Sequence, residues 1–406
     1  MIVIVYKPHE RTRVAEGAKG VLELTLGLFF DGTLNNLRNA KLLILLLTLS
    51  LTACKTDNKR NIEKDNKMDI EKFEWHESKS AAPGYPIEVY RGGLKRPNGG
   101  FTSLFGGLTT GKHGWGTVGD GMSKGVKTLP NGLHVKWVSY AEDCVYEIDT
   151  PIDYAKLLAL FKKGYHAPTN HLKRTEPFKY EYRQINVGFA PGGVVIVWVT
   201  DGGRRIEIGR YQGHKIRVSE EEISQLDPPD QLMFNKEHRQ RTMKDIRVVP
   251  QEIQEAHKGK PIPYGRWDSL RTRYRWKIKL ELPTHIKSKE FTIFNYNGEM
   301  ENLFGEFHLE QFEVEEELKW NSLRNRSVPK KIGLRWFNKA YESGACSIKF
   351  SEKEVFKGFE EVFKDTPEGK AQLEIRVNQI ETNAAIKLVG NGKEVRLPNT
   401  KVKVFD

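Results

Sequence analysis

One serine lies in a pattern that is typical of nucleophilic catalysis. Ser123 is the centre of GMSKG at Gly121–Gly125, which matches the G-x-S-x-G pattern of serine hydrolases. In those enzymes the serine sits on a sharp turn between a buried strand and a helix. The preceding GKHGWGTVGD is too rich in glycine for a core strand, and Pro130 and Gly132 follow too soon for a sustained helix. We therefore assign no catalytic role to Ser123.

No other residues have the spacing of a catalytic or metal site. The 11 histidines include no H-E-x-x-H pattern, and His76 is interpreted as an edge residue. A turn between strands explains the paired carboxylates Glu142 and Asp143. The glycines of Gly188–Gly193 precede a strand, so no helix N-terminus is available to hold a phosphate. We predict a protein that is not an enzyme and that has no cofactor and no metal.

A cysteine near the start of the chain has the context of a modified residue. The uncharged Leu42–Leu51 is almost all leucine and isoleucine, Arg38 and Lys41 precede it, and Leu-Thr-Ala comes directly before Cys54. This order is that of an export signal, and the run is shorter than the roughly 20 residues that span a bilayer. The ending resembles a bacterial lipobox, which implies that Cys54 is diacylated and becomes the mature N-terminus. The alternative is a buried core segment that ends in cysteine.

The residues after the cysteine predict where the chain is held. Two or more acyl chains anchor a protein stably, whereas one chain binds a membrane marginally. The polar and highly charged segment 54–70 is predicted to be a disordered tether. By resemblance to enteric lipoproteins, Lys55 in place of aspartate implies the outer membrane. We therefore expect a lipid-anchored protein on the periplasmic face of the outer membrane.

The composition limits the partners that the chain could have. Its 406 residues carry a net charge of +12, which fits anionic lipid or an acidic protein partner. No finger, helix-turn-helix or RNA-binding signature occurs, so nucleic acid is not expected. Cys144 and Cys346 lack the paired spacing of a zinc site. Two alternatives stay open for them: a disulfide in an oxidising periplasm, or two separate buried thiols.

The chain after residue 70 contains two similar segments. Trp75 and Trp276 are 276 − 75 = 201 residues apart, and Trp137 and Trp336 are 336 − 137 = 199 residues apart. Further landmarks follow in the same order, which indicates a duplication. Because a buried indole supplies a large apolar area, Trp137 and Trp336 are predicted to lie in the two cores.

Local patterns predict the elements of each copy. Apolar and polar residues alternate at 133–137 and 332–336, as in half-buried strands, and the apolar run 194–199 predicts another strand. Leu157, Leu158 and Phe161 give one helix an apolar face. The predicted fold class is α+β, mostly antiparallel β, with two tandem duplicated sheet-plus-helix units joined by a charged linker. The predicted divisions are a leader at 1–36, a signal peptide at 37–53, a tether at 54–70, a first unit at 71–216, a linker at 217–265 and a second unit at 266–406.

The predicted leader resembles a different class of protein. VLELTLGLFFDGTLNN, at residues 21–36, resembles the start of the catalytic domain of type VI secretion phospholipase effectors, an α/β-hydrolase-like family. The alternative is an unrelated strand and turn. Because no hydrolase elbow follows, we interpret the leader as a gene-fusion remnant or an over-extended start, with translation beginning at Leu37.

Three runs in the body of the chain carry a second resemblance. They are PGYPIEVY, LPNGLHVKWVSYAEDCVYE and INVGFAPGGVVIVWV, and with Trp75 they resemble domain-of-unknown-function family 2931, bacterial lipoproteins of unassigned biochemistry. This resemblance covers about 70–216 and carries no catalytic residues over. Members of such families often lie beside type VI phospholipase genes. The resemblance therefore implies an immunity protein that binds and occludes a phospholipase effector in the periplasm.

A long glycine-rich segment of the first copy is the predicted partner-binding region. Gly92–Gly125 has no equivalent of that length in the second copy, and a loop placed by a rigid scaffold is where binding residues tend to lie. Phe101, Phe105 and Trp115 are the predicted anchors, because interface hot spots favour aromatic residues. The alternative is that these side chains only pack their own loop. The alternative function is an envelope enzyme, or a ligand-binding structural lipoprotein of unknown substrate.

Overall fold

The computed structural model describes most of the chain after residue 70. The predicted leader, signal peptide and tether lie outside the described residues. Within the described residues, the chain is mostly β, with mainly antiparallel sheets and some helix, which confirms the α+β class. The described residues are 71–112, 114–117, 119, 123–168, 176–338, 340 and 342–405.

The first half of the described chain contains thirteen strands and one long helix. The helix, α1, spans Tyr154–Lys163. The strands are β1 Lys72–Ala81, β2 Ile87–Lys95, β3 Phe101–Ser103, β4 Leu108–Thr109, β5 Gly125–Thr128, β6 Gly132–Ser139, β7 Cys144–Pro151, β8 Tyr165–Ala167, β9 Phe178–Tyr180, β10 Gln184–Ala190, β11 Val194–Asp201, β12 Arg204–Gln212 and β13 His214–Ile216.

Eleven of these strands form two facing sheets rather than the single small sheet predicted for each unit, and β8 and β9 form a separate two-stranded sheet. One sheet has the order β5-β1-β10-β11-β12, and β1 runs parallel to β10. The other has the order β13-β7-β6-β2-β3, with β4 also on β2. The prediction of one antiparallel sheet was wrong because alternation shows that a strand is half buried but not which sheet it joins.

Short helices connect the first half to the second. They are α2 Glu220–Ser224, α3 Pro228–Gln231, a 3₁₀ turn at Leu232–Phe234, α4 Lys236–Lys244, α5 Gln251–His257 and α6 Arg266–Ser269. The segment predicted as a linker, 217–265, therefore packs on the protein: Met233 is buried in a cluster with Tyr90, Val138 and Tyr140.

The second half contains ten strands. The helices are α7 Glu306–Leu309 and α8 Glu352–Phe363, with a 3₁₀ turn at Glu316–Leu318. The strands are β14 Arg273–Glu281, β15 Ile286–Asn295, β16 Met300–Phe304, β17 Arg324–Ser327, β18 Pro329–Asn338, β19 Ser343–Lys349, β20 Ala371–Val377, β21 Ala384–Gly390, β22 Lys393–Arg396 and β23 Lys401–Phe405.

One long sheet runs through both halves. In the second half one sheet has the order β17-β14-β20-β21-β22, with β14 parallel to β20, and the other has the order β23-β19-β18-β15-β16. Strand β16 also pairs with β12 of the first half, through Arg205 and Met300. The result is a ten-stranded sheet that joins the two halves edge to edge.

Each half has its own apolar core between its two sheets. Trp75, Trp137 and Phe189 lie in the first core, and Trp276 and Trp336 lie in the second. The prediction that Trp137 and Trp336 are core residues is confirmed, since they are almost completely buried. A large apolar area is thereby removed from water in each half.

The two long helices close the cores along one apolar face each. In α1, Leu157 and Phe161 are buried and Leu158 is partly buried against the same core. The Asp153 side chain caps this helix by accepting a hydrogen bond from the Lys156 amide. Among the described residues, no helix has the length and apolar composition needed to traverse a bilayer.

Strand β11 is buried on both faces. Val195, Val197 and Val199 belong to the first core, whereas Ile196 and Trp198 belong to a separate cluster on the opposite face. This explains why the sequence of the strand, VVIVWVTD, is continuously apolar rather than alternating. The outer face of the shared sheet is therefore a second packing surface, where other parts of the chain meet.

Candidate functional site

The two predicted phenylalanine anchors lie on the surface, at the edge of the first half. Phe101 opens β3, where it pairs with Lys95 of β2, and its side chain is 46% exposed. Phe105 follows the strand and is 36% exposed, whereas Leu104 between them is buried. The loop thus presents two aromatic side chains to solvent while Leu104 fixes it to the core.

A lysine of the facing sheet fixes the far side of this loop. Lys79 of β1 donates hydrogen bonds to the carbonyl oxygens of Gly106 and Gly107, at 2.5 and 3.0 Å. Burial lowers the pKa of Lys79 to about 8, against the opposing charge of Glu88. Bonds from a charged donor are the stronger kind, so the segment after Phe105 is held in place.

The third predicted anchor, Trp115, lies elsewhere. Its indole is 8% exposed and packs edge-on against Trp198 of β11, with ring centroids 5.4 Å apart. The outer face of β11 is apolar, so the loop places its largest side chain there. The burial of Trp115 argues against a role as an exposed anchor beside Phe101 and Phe105, and it favours the alternative of internal packing for this residue.

Ser123 lies in a polar cluster that sequence reasoning missed. Its hydroxyl donates to Glu77 Oε2 at 2.5 Å, its amide donates to Glu77 Oε1 at 3.0 Å, and Lys127 Nζ donates to the hydroxyl at 2.8 Å. The Lys127 amine also lies over the Trp75 ring. Ser123 is followed by strand β5 rather than by a helix. The geometry ties β5 to β1 and differs from a nucleophile elbow.

The protonation of this cluster follows from its charges. Burial lowers the pKa of Lys127, while the carboxylate of Glu77 opposes that change. Glu77 Oε2 lies 3.5 Å from Lys127 Nζ, so the positive charge of the lysine and the negative charge of the carboxylate neutralise each other in a site that excludes most water. The only signal of this cluster in the sequence was the four-residue spacing of Ser123 and Lys127. Glu77 lies on another strand, far away in the chain, so the sequence contains no sign that it joins them.

Other predicted features have structural roles. The Glu142 carboxylate accepts hydrogen bonds from the Ser139 and Tyr146 hydroxyls and from the Gly192 amide, as expected of a turn.

Cys144 and Cys346 are both free thiols, so the structure supports separate thiols over a disulfide. Within the described part of the chain, no group of three His, Cys, Asp or Glu residues could hold a metal ion. The predicted lipidation residue Cys54 lies outside the described residues.

A cavity of about 490 Å³ lies where the first half, the connecting helices and the second half meet. Tyr85 and Trp267 form an aromatic wall, with ring centroids 5.3 Å apart and an edge-on arrangement. His257 of α5 lies against Tyr85 at 5.0 Å. Burial first, and then the charges of Arg266 and Lys260, lower the pKa of His257 below 6.5, so this ring is neutral at pH 7.

Part of the polar lining of the cavity comes from the second half. Asn295 ends β15 and is only 4% exposed, and neither its amide nitrogen nor its amide oxygen has a hydrogen-bond partner among the described residues. Lys330 of β18 and Glu352 of α8 also line the cavity. Sequence reasoning missed this site because its residues are far apart in the chain and form no motif.

The fold and these sites define a protein made of two β-sandwiches that share one sheet, with an exposed aromatic loop on one sandwich and a cavity at the junction. Residues 55–265, just over half of the 406 residues, match the family described as Protein of unknown function (DUF2931). The chain therefore belongs to this family, as its sequence resemblance predicted. No curated protein and no solved structure matches the chain.

Proposed function

We propose that this chain is a lipid-anchored protein of the periplasmic face of the outer membrane, and that it acts as an immunity protein for a type VI secretion phospholipase effector. The lipobox resemblance at Cys54 and the effector-like leader support the location and the partner. The observation that carries the proposed binding is the exposure of Phe101 and Phe105 on a loop fixed by Lys79. A preorganised aromatic surface loses little entropy when it binds.

The proposed mechanism is occlusion. The loop would cover the mouth of the effector's active site, and Phe101 and Phe105 would fill apolar pockets there. Excess positive charge on this protein would increase the rate of association with an acidic partner. No step of this mechanism requires chemistry by the chain itself.

Binding is tested with the phospholipase encoded by the neighbouring gene. We expect Phe101→Ala/Phe105→Ala to weaken binding at least tenfold in biolayer interferometry, because truncated aromatic hot spots cost about 2 kcal/mol or more. Phe405→Ala is the matched control, since Phe405 is 51% exposed on β23 of the other half. Equal binding by the double variant and the control would reject this surface.

Anchoring is tested separately. Cells fed with radiolabelled palmitate should label the protein, and Cys54→Ser should abolish the label because the acylated sulfur is lost. Cys144→Ser is the control and should keep the label. Recovery of an unlabelled wild-type protein from the cytosol would reject both the anchor and the periplasmic location.

We also infer that the two sandwiches derive from a duplicated unit. In each half the first strand pairs parallel to a strand that follows the long helix, as β1 does with β10 and β14 with β20. A short strand is added on the other side of that first strand, β5 or β17. These pairings support the repeat seen in the sequence. The test is to superpose the first half on the second half in an experimental structure. If Trp75 does not coincide with Trp276 and Trp137 does not coincide with Trp336, the duplication is rejected.

A second function is supported by a different observation, the cavity at the junction. It has the size of a small-molecule site and combines aromatic side chains with charged and polar ones. This supports the ligand-binding alternative. Binding of a small ligand and binding of an effector use separate surfaces and do not exclude each other.

A further inference from the structure

The cavity at the junction contains a buried amide with unmet bonding capacity. Asn295 could donate two hydrogen bonds and accept two through its side chain, yet the described residues satisfy none of them. Leaving a buried polar group unpaired is unfavourable. Asn295 also lines the cavity, so we take its amide as the group that a molecule entering the cavity would bond.

The cavity lining carries three cationic side chains, Lys260, Arg266 and Lys330, against the two carboxylates Glu252 and Glu352, which leaves a net excess of one positive charge. Arg266 is paired with Glu352 at 2.7 Å, and Lys260 Nζ donates to the carbonyl oxygen of Ala256 at 2.7 Å. In contrast, no described residue forms a hydrogen bond or an ion pair with Lys330 Nζ. Lys330 is therefore the cation of this wall that can bind an anion without breaking an existing contact.

The aromatic wall supplies the third requirement. Tyr85, Trp267 and Tyr296 line the cavity together with Trp115. Such surfaces pack against the flat apolar face of a sugar ring, whose hydroxyls then remain free to bond with an amide. A purely apolar ligand would leave Asn295 unsatisfied, and a bare inorganic anion would make no use of the aromatic wall.

We propose that this cavity binds a sugar unit that carries a carboxylate. The ring packs on the aromatic wall, its hydroxyls bond to the Asn295 amide, and its carboxylate pairs with Lys330. Neutral His257 can donate or accept one further hydrogen bond. The cavity of about 490 Å³ is within the usual range for small-ligand sites.

The experiment is isothermal titration calorimetry of the whole protein with D-glucuronate, D-glucose and inorganic phosphate. We expect glucuronate to bind with a stoichiometry of one and glucose to bind at least tenfold more weakly, because it lacks the carboxylate. Lys330→Met should weaken glucuronate binding about tenfold to 100-fold and leave glucose unaffected. Lys331→Met is the matched control, since Lys331 is the next residue of β18 and its amine lies over the Phe294 ring instead.

The outcomes separate this proposal from its alternatives. Loss of glucuronate binding in Lys330→Met but not in Lys331→Met supports the site. No glucuronate binding by the wild-type protein, or equal binding by Lys330→Met, overturns it. Phosphate binding as tight as glucuronate binding overturns the sugar assignment. The Phe101→Ala/Phe105→Ala variant should bind glucuronate normally, so failure of the effector proposal does not affect this result.

Discussion

Gly298 is the residue whose replacement best tests how the two halves are joined. It lies in the turn between β15 and β16 with a backbone φ of +87°. A Cβ atom added there would lie 2.9 Å from the Trp198 ring of the first half and 3.4 Å from Gly116 Cα of the glycine-rich loop. The turn, the loop and the outer face of β11 thus meet where only a glycine fits.

Two costs add in Gly298→Ala. A left-handed backbone conformation costs a residue with a side chain about 1–2 kcal/mol. The contact with Trp198 is closer than real Cβ contacts, and relieving such overpacking costs about 1–3 kcal/mol. We therefore expect the free energy of unfolding to fall by about 2–5 kcal/mol in total.

The matched control removes the second cost. Gly392 lies in the turn between β21 and β22 with a φ of +75°, and an added Cβ would have no heavy atom within 4 Å. Gly392→Ala should therefore lose only the backbone term of about 1–2 kcal/mol. Urea unfolding followed by tryptophan fluorescence measures both variants. If Gly298→Ala is no less stable than Gly392→Ala, the close packing of the two halves at this turn is refuted.

Three further predictions concern other parts of the fold. Glu301→Gln should reduce the free energy of unfolding at pH 7 by about 3 kcal/mol, because it leaves the Arg326 charge buried without its partner. Burial alone would raise the pKa of Glu301, but the charges of Arg326 and its neighbours outweigh burial and lower the pKa below 4.5. The stability that the ionised carboxylate contributes is therefore complete above pH 4.5 and is lost as the pH falls through the folded pKa. Urea unfolding of wild type and Glu301→Gln at pH 7 and pH 3 should show that the difference in their stability shrinks. Ellman's reagent should label Cys144 before Cys346, because Cys346 is buried and its pKa is raised to about 11. Asp153→Ala should lower the stability by about 1 kcal/mol in thermal unfolding, because the cap of α1 is lost.

Each of these has a result that contradicts it. A constant difference between wild type and Glu301→Gln from pH 7 to pH 3 would show that the pKa of Glu301 is the same in the folded and the unfolded protein. Equal labelling rates for the two thiols would contradict the burial of Cys346. An unchanged melting temperature in Asp153→Ala would show that the cap contributes nothing to α1.

Local elements were predictable because their signals lie within a few residues. The continuous apolar run 194–199 predicted strand β11. The apolar face of α1 and the two core tryptophans followed from spacing and side-chain size. In each case the local preference agrees with the tertiary structure.

The sheet partners and the candidate sites were not predictable in this way. The parallel pairing of β1 with β10 joins residues more than 100 positions apart, and no short pattern records it. Glu77 reaches Ser123 from another strand, and Trp115 is buried only because Trp198 lies on the outer face of β11. Aromatic residues in a glycine-rich loop give the same sequence signal whether they face solvent or another part of the chain.

The extent of the family match indicates which properties belong to the family and which require the whole chain. Residues 55–265 include the exposed aromatic loop together with Tyr85 and His257. They exclude Asn295 and Lys330, the residues that would bond a ligand in the cavity. A family member that ended after the first sandwich would therefore keep the proposed partner-binding loop but lack these two cavity residues. The second sandwich is thus the part of this chain from which the proposed ligand specificity arises, and the shared ten-stranded sheet holds its side chains against the aromatic wall.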